Sequence, residues 1–143
     1  MLFRSFVNFK IYIPARYAST RLPAKPLLEF DGKPLIQHVY ERASGSAATE
    51  IVIATDDERI ADVARACGAS VAMTAADLPS GTDRIAAAAA ARDEADDTII
   101  VNLQGDEPHM PAAVIDQVAA CVDDGECAMA TVCEPLSPEQ VSD

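Results

Sequence analysis

The stretch EIVIATDDERIADVARACGASVAM, residues 50–73, decides how this chain folds. Its first six residues, Glu50 to Thr55, form a short run of the kind found in buried strands. Asp56 and Asp57 follow, and either can cap a helix by accepting hydrogen bonds from its free N–H groups. The helix expected over residues 58–67 then meets Gly68, well placed to stop it in a left-handed turn. Residues 70–73 read as a further strand. Strand, capped helix, glycine stop and strand make a unit whose two strands lie parallel.

The same alternation extends outward in both directions. Upstream, residues 7–13 (VNFKIYI) read as a strand ended by Pro14. A polar, proline-rich loop follows to Gly32, and Pro34 opens a helix over residues 35–43 at a position where its missing N–H costs nothing. Downstream, Thr82 or Asp83 can cap an alanine-rich helix ending near Ala95. Residues 98–103 (TIIVNL) read as a strand, Pro111 opens a helix to about Val122, and residues 126–133 read as a fifth strand. The expectation is an α/β fold with a doubly wound, mostly parallel sheet. Such sheets bind ligands beyond the carboxyl ends of their strands, where strand order reverses. The loops over residues 14–26 and 104–111 both follow expected strands.

Bulk properties narrow the functions. The chain has 143 residues, half of them apolar, with 11 basic and 23 acidic side chains and a net charge of −12. That length suits one domain with a hydrophobic core. An acidic surface repels phosphate backbones and anionic lipids, which argues against nucleic-acid and membrane partners. The first ten residues make a poor secretory signal, and the longest apolar run, residues 85–91, is too short to cross a bilayer. Cys67, Cys121, Cys127 and Cys133 form no C-x-x-C pair, and with His38 and His109 they lack zinc-site spacing. Cys127 and Cys133 share parity on the expected fifth strand and read as small buried hydrophobes, a pattern suited to a reducing cytoplasm. His38 reads as a helix polar-face residue and His109 as a loop residue.

Three segments carry chemistry. In PARYASTRLPAKPL, residues 14–27, Arg16, Arg21 and Lys25 place three of the 11 cations within ten residues. Charge of that density suits a polyphosphate. Small residues such as Ala18 and Ser19 let backbone approach a ligand, and Pro23 and Pro26 fix the path near Lys25. The loop is neither a P-loop nor a dinucleotide fingerprint; the plainer alternative is a solvated basic loop paired with surplus carboxylates. In SGTDR, residues 80–84, free N–H groups at a helix start favour polar or anionic ligand atoms; the alternative is a simple cap with Arg84 on the exposed helix face. In QGDEP, residues 104–108, Asp106 follows a strand at the ligand-binding edge and is a hard oxygen donor suited to Mg²⁺. Gly105 permits close approach. The alternative there is a turn aspartate capping the next helix.

These strings together resemble the 3-deoxy-manno-octulosonate (Kdo) cytidylyltransferases, whose fold is that of the nucleotide-diphospho-sugar transferases. The resemblance runs from about Phe9 to Pro135. It implies a transfer from CTP to Kdo that yields CMP-Kdo and pyrophosphate, in the cytoplasm, for lipopolysaccharide. It implies that Arg16 and Lys25 hold the CTP phosphates, that Ser19 and Arg21 support that loop, and that Pro14 and Ala15 lie near the cytosine. It implies that Met73, Thr74, Ser80, Gly81, Thr82 and Arg84 also bind the CTP, with Arg84 and neighbouring backbone reading the nucleobase. It implies further that Gln104 contacts the nucleotide and that Asp106 binds Mg²⁺. Ala75 departs from the arginine common in relatives. The resemblance covers the first half of that family's usual domain, so the chain reads as a single, apparently truncated nucleotide-binding part. In the family the later half supplies most sugar-acid contacts, a second metal-binding aspartate and much of a homodimer interface. The alternatives are a CMP-sialic acid synthetase-like or other sugar nucleotidyltransferase, disfavoured by Thr20-Arg21 and Lys25-Pro26, and a non-catalytic CTP-binding fragment.

Overall fold

In the computed structural model, which describes residues 7–19, 21–133 and 135, four parallel strands form the central sheet. They are β1 (Phe9–Ala15), β4 (Glu50–Thr55), β5 (Ser70–Met73) and β6 (Ile99–Asn102), in the spatial order β5-β4-β1-β6. The order reverses between β1 and β6, so a crevice opens there at the carboxyl edge. A small hairpin of β2 (Glu29–Phe30) and β3 (Lys33–Pro34) precedes helix α1 (Leu35–Ala43). Helices α2 (Glu58–Cys67), α3 (Gly81–Ala91) and α4 (Ala112–Asp123) are the remaining elements among the described residues, apart from one short 3-10 turn.

Alternation along β1 makes the sheet two-faced. Phe9, Ile11, Ile13 and Ala15 point into a core shared with Leu35, Ile36 and Val39 of α1, Ile60 and Ala64 of α2, and Ile115 and Ala119 of α4. Tyr12 points the other way, into a smaller cluster with Val52, Ala54, Ala72 and the α3 residues Ile85 and Ala88. Three helices thus cover one face and one helix the other. As expected, Asp57 caps α2 by accepting from the Arg59 N–H, and Gly68 stops it at φ 98°.

Four local expectations are corrected. Pro14 does not end the first strand, which runs on to Ala15 with Pro14 paired to Ala54. The pairing of β1 with β6 stops at Tyr12 and Asn102, so Pro14 sits where one side of β1 is already an edge and its missing N–H breaks no ladder. Pro34 and Pro111 are caps just outside α1 and α4 rather than their first residues. The cap of α3 is Ser80, not Thr82 or Asp83: its Oγ accepts from the Asp83 N–H, a serine three residues ahead of an acid. That helix also ends at Ala91 rather than Ala95, because Asp93 turns at φ 52° and carries Arg92 and Glu94 into partners at the base of the sheet.

The fifth strand is not found among the described residues. There, residues 126–133 have no strand pairing, and Cys127 and Cys133 are exposed free thiols rather than buried hydrophobes. Local composition alone supplies no ladder; a strand needs a neighbour to take its N–H and C=O groups. The loop expected from residue 134 onward lies outside the described residues except for Pro135, as do the first six residues and Thr20.

The partners of Arg92 and Glu94 form a polar network at the amino edge of the sheet. Lys10 Nζ donates to both Glu94 oxygens at 3.0 and 2.8 Å, and Tyr12 Oη donates to Glu94 Oε1 at 2.6 Å. Arg92 and the Ser70 hydroxyl bind Glu50, which also pairs with Lys10 at 3.2 Å. Burial, reinforced by the hydrogen bond that the phenol donates to the Glu94 carboxylate, pushes the Tyr12 phenol up to about 12. A raised pKa means that this stabilisation is complete below the ordinary tyrosine value of roughly 10 and is lost as pH rises through about 12. Absorbance titration is expected to show one of the three tyrosines ionising at about 12, and Tyr12→Phe should remove that step. The same substitution should cost about 1 kcal/mol of stability, read from the denaturant midpoint. A titration curve identical in the variant would contradict the assignment.

Candidate functional site

Three loops meet at the carboxyl edge of the sheet. The first leaves β1 at Ala15 and runs to the short 3-10 helix Lys25–Leu27. The second, residues 78–80, leads into α3, and the third, from Leu103 to Pro111, joins β6 to α4. Between them lies a cleft of about 730 Å³. Of the candidate residues, Pro14, Ala15, Arg16, Ser19, Arg21, Lys25, Ser80, Gly81, Arg84, Gln104 and Asp106 all line it. Met73, Thr74 and Thr82 do not. Met73 is exposed at the end of β5, and Thr82 is exposed in the first turn of α3. Thr74 stands behind Arg84, accepting from its Nη1.

Two glycines explain how the loops come so close. A Cβ on Gly105 would lie 2.8 Å from the Pro14 carbonyl oxygen, and one on Gly81 would lie 3.1 Å from Pro14 Cγ. Pro14 is therefore the hub against which the other two loops press. Gly105→Ala should force the β1 end and the Asp106 loop apart. The expected cost is about 1–3 kcal/mol by chemical denaturation, with weaker ligand binding in the cleft. Unchanged stability would show that the loop yields freely.

The charge in the cleft opposes that of the chain. Among the described residues, four cations, Arg16, Arg21, Lys25 and Arg84, face it against one carboxylate, that of Asp106. Lys25 Nζ lies 3.2 Å from Asp106 Oδ2, both side chains about half exposed. Arg84 is only 2% exposed, contrary to the reading that put it on an open helix face. Its Nη1 donates to Thr74 Oγ1 and to the Ala75 carbonyl, and among the described residues it pairs with no carboxylate. Gln104 Nε2 donates to Asn102 Oδ1 at 2.9 Å, which holds its amide at the rim. Leu22, Pro26, Leu35, Leu78 and Pro79 also line the cleft. Sequence reasoning missed these apolar walls because nothing local separates them from core or turn residues.

The donor set suits a metal shared with a ligand rather than a protein cage. Among the described residues no group of three or more His, Cys, Asp or Glu side chains converges on one point. Mg²⁺ commonly takes one or two carboxylates with phosphate oxygens and waters, so Asp106 in a cationic cleft fits it.

Comparison with known proteins identifies the family. The profile of the cytidylyltransferase family matches residues 11–142. A 3-deoxy-manno-octulosonate cytidylyltransferase of Thioalkalivibrio sulfidiphilus is 55% identical over 139 residues, covering 96% of this chain and 56% of that protein. One from Cellvibrio japonicus is 56% identical over 131 residues, covering 91% and 51%. The solved structure of a CMP:2-keto-3-deoxy-manno-octonic acid synthetase complexed with CTP superposes with a TM-score of 0.73 at 42% identity, over 82% of this chain and 48% of that one. A cytidylyltransferase from Leptospira borgpetersenii gives 0.71 at 28% identity, over 83% and 50%. The chain spans about half the length of the relatives it matches. With its parallel sheet, its reversal point between β1 and β6, and a match along nearly its whole length, the chain belongs to the cytidylyltransferase family.

Proposed function

We propose that this chain provides the nucleotide side of a transfer from CTP to Kdo that yields CMP-Kdo and pyrophosphate. The observation that carries the reading is the convergence of Arg16, Arg21, Lys25 and Arg84 on one cleft of a chain with net charge −12. Such a cleft concentrates a polyanion that the rest of the surface repels.

In this reading a Kdo hydroxyl attacks the α-phosphorus of CTP. The new P–O bond forms as the bond to pyrophosphate breaks and the hydroxyl proton passes to solvent, so no protein nucleophile is needed. Catalysis then rests on positioning and on charge stabilisation. Arg16 and Lys25 bind the phosphates that depart, with Ser19 and Arg21 supporting their loop. Arg84, braced by Thr74, offers its guanidinium to the cytosine beside the Pro14–Ala15 and Ser80–Gly81 backbone, and Gln104 contacts the nucleotide from the opposite rim. Asp106 would hold Mg²⁺, which supplies charge neutralisation at the phosphates when bound. Lys25 must exchange Asp106 for phosphate when CTP enters. The setting proposed is cytoplasmic, serving lipopolysaccharide synthesis; among the described residues no helix is long and apolar enough to cross a membrane.

The test is pyrophosphate release from the chain with CTP, Mg²⁺ and either Kdo or sialic acid. Release with Kdo supports the full reading. CTP binding without release reduces the chain to a CTP-binding part, and release with sialic acid but not Kdo would overturn the choice of acceptor.

A further inference from the structure

The two cations proposed to hold the phosphates, Arg16 and Lys25, flank the neck of a closed loop. Ala24 N donates to the Tyr17 carbonyl at 2.8 Å, joining the residue after Arg16 to the residue before Lys25. Ala24 makes this turn in the left-handed region at φ 59°, an unusual conformation for a residue with a side chain. The spacing of Arg16 and Lys25 therefore depends on where Tyr17 is held.

Tyr17 is held from outside the cleft, by the junction of β4 and α2. Its N–H donates to Asp56 Oδ1 at 3.1 Å. The Arg59 guanidinium lies over its ring, 3.7 Å from the centroid, and Arg59 Nη1 donates to its hydroxyl at 3.0 Å. Arg59 is itself fixed: Asp57 accepts from its Nε at 3.0 Å and from its Nη2 at 2.7 Å. The adjacent aspartates thus divide two tasks. Asp57 caps α2 and clamps Arg59, while Asp56 takes no part in the cap and is committed to the Tyr17 backbone. None of Tyr17, Asp56, Asp57 and Arg59 lines the cleft.

We infer that Asp56 and Arg59 are positioning residues that set the spacing of Arg16 and Lys25 by anchoring Tyr17. This rests on the proposed CTP reading of the cleft. A triphosphate spans both cations, whereas a monophosphate lacks the β- and γ-groups that need the pair. The defect in an unanchored loop is therefore specific: it weakens CTP more than CMP.

Calorimetric titration of the 143-residue chain with CTP and with CMP, in Mg²⁺, tests this alongside thermal melting. Asp56→Ala and Arg59→Ala should each weaken CTP by about fivefold to tenfold, with CMP changed less than about twofold. Asp56→Asn, whose amide oxygen can still accept the Tyr17 N–H, should keep CTP affinity within about twofold of the unsubstituted chain. CTP affinity unchanged in both alanine variants would overturn the inference, as would CTP and CMP falling in the same ratio with a lowered melting temperature. Failure of the unsubstituted chain to bind CTP would overturn both the inference and the reading beneath it, and so is told apart from failure in the variants alone.

Discussion

Asp106→Ala should act in opposite directions with and without Mg²⁺. Without the metal, the substitution releases Lys25 from its 3.2 Å pair and removes the one carboxylate that faces the cleft among the described residues. CTP affinity in a chelator should then be unchanged or up to about fivefold tighter, because a like charge beside the phosphates has gone. The pair is half exposed, so the gain stays small. With Mg²⁺ the sign reverses. The gain in CTP affinity that the metal gives the unsubstituted chain should be absent, and any turnover with Kdo should fall roughly a thousandfold. A merely structural aspartate would weaken CTP equally under both conditions. Calorimetry at matched ionic strength separates the two, and an undiminished Mg²⁺ effect in the variant would remove Asp106 from the metal site.

Arg84→Met should separate stability from binding. Arg84 is buried, and among the described residues its guanidinium has only neutral partners, the Thr74 hydroxyl and the Ala75 carbonyl. Burying a charge without a counter-charge is unfavourable, and an apolar side chain of similar volume often relieves it. Ala75 is exposed and Thr74 half-buried, so water can replace the lost donor at both. The melting temperature is expected to hold or rise. Nucleotide affinity is expected to fall by roughly tenfold to a hundredfold, the loss of a charged hydrogen bond at the base. A lowered melting temperature with CTP affinity intact would make Arg84 a structural residue.

Much of the fold was legible because its boundaries carry local chemistry. Asp57 and Gly68 mark the two ends of α2, and both act as their residue types predict. The caps at Pro34, Ser80 and Pro111 were misplaced by only one to three residues, and the larger failures occurred where a distant partner decides. Pro14 stays in β1 because β6 has already stopped pairing, and the helix after Ser80 ends early because Arg92 and Glu94 reach Glu50, Lys10 and Tyr12. Residues 126–133 are mostly apolar and read as a strand, yet local composition cannot supply the neighbour that a strand requires.

The site divides along the same line. Arg16, Arg21 and Lys25 stand close together in sequence, so their shared cleft could be expected from spacing. The Arg84 burial could not, because it depends on how α3 packs beneath the loop at Thr74. The Tyr17 anchor was invisible for the plainest reason: Asp56 and Arg59 lie about forty residues away along the chain and meet Tyr17 only through the parallel pairing of β1 and β4.

On the proposed function, this cleft selects cytidine triphosphate over other nucleoside triphosphates. Titration of the chain with CTP, UTP and ATP in Mg²⁺ decides it. CTP should bind at least about tenfold more tightly than either rival, with the preference lost in Arg84→Met. Equal affinity for the three, or binding undiminished when both Arg16 and Lys25 are replaced by alanine, would contradict it.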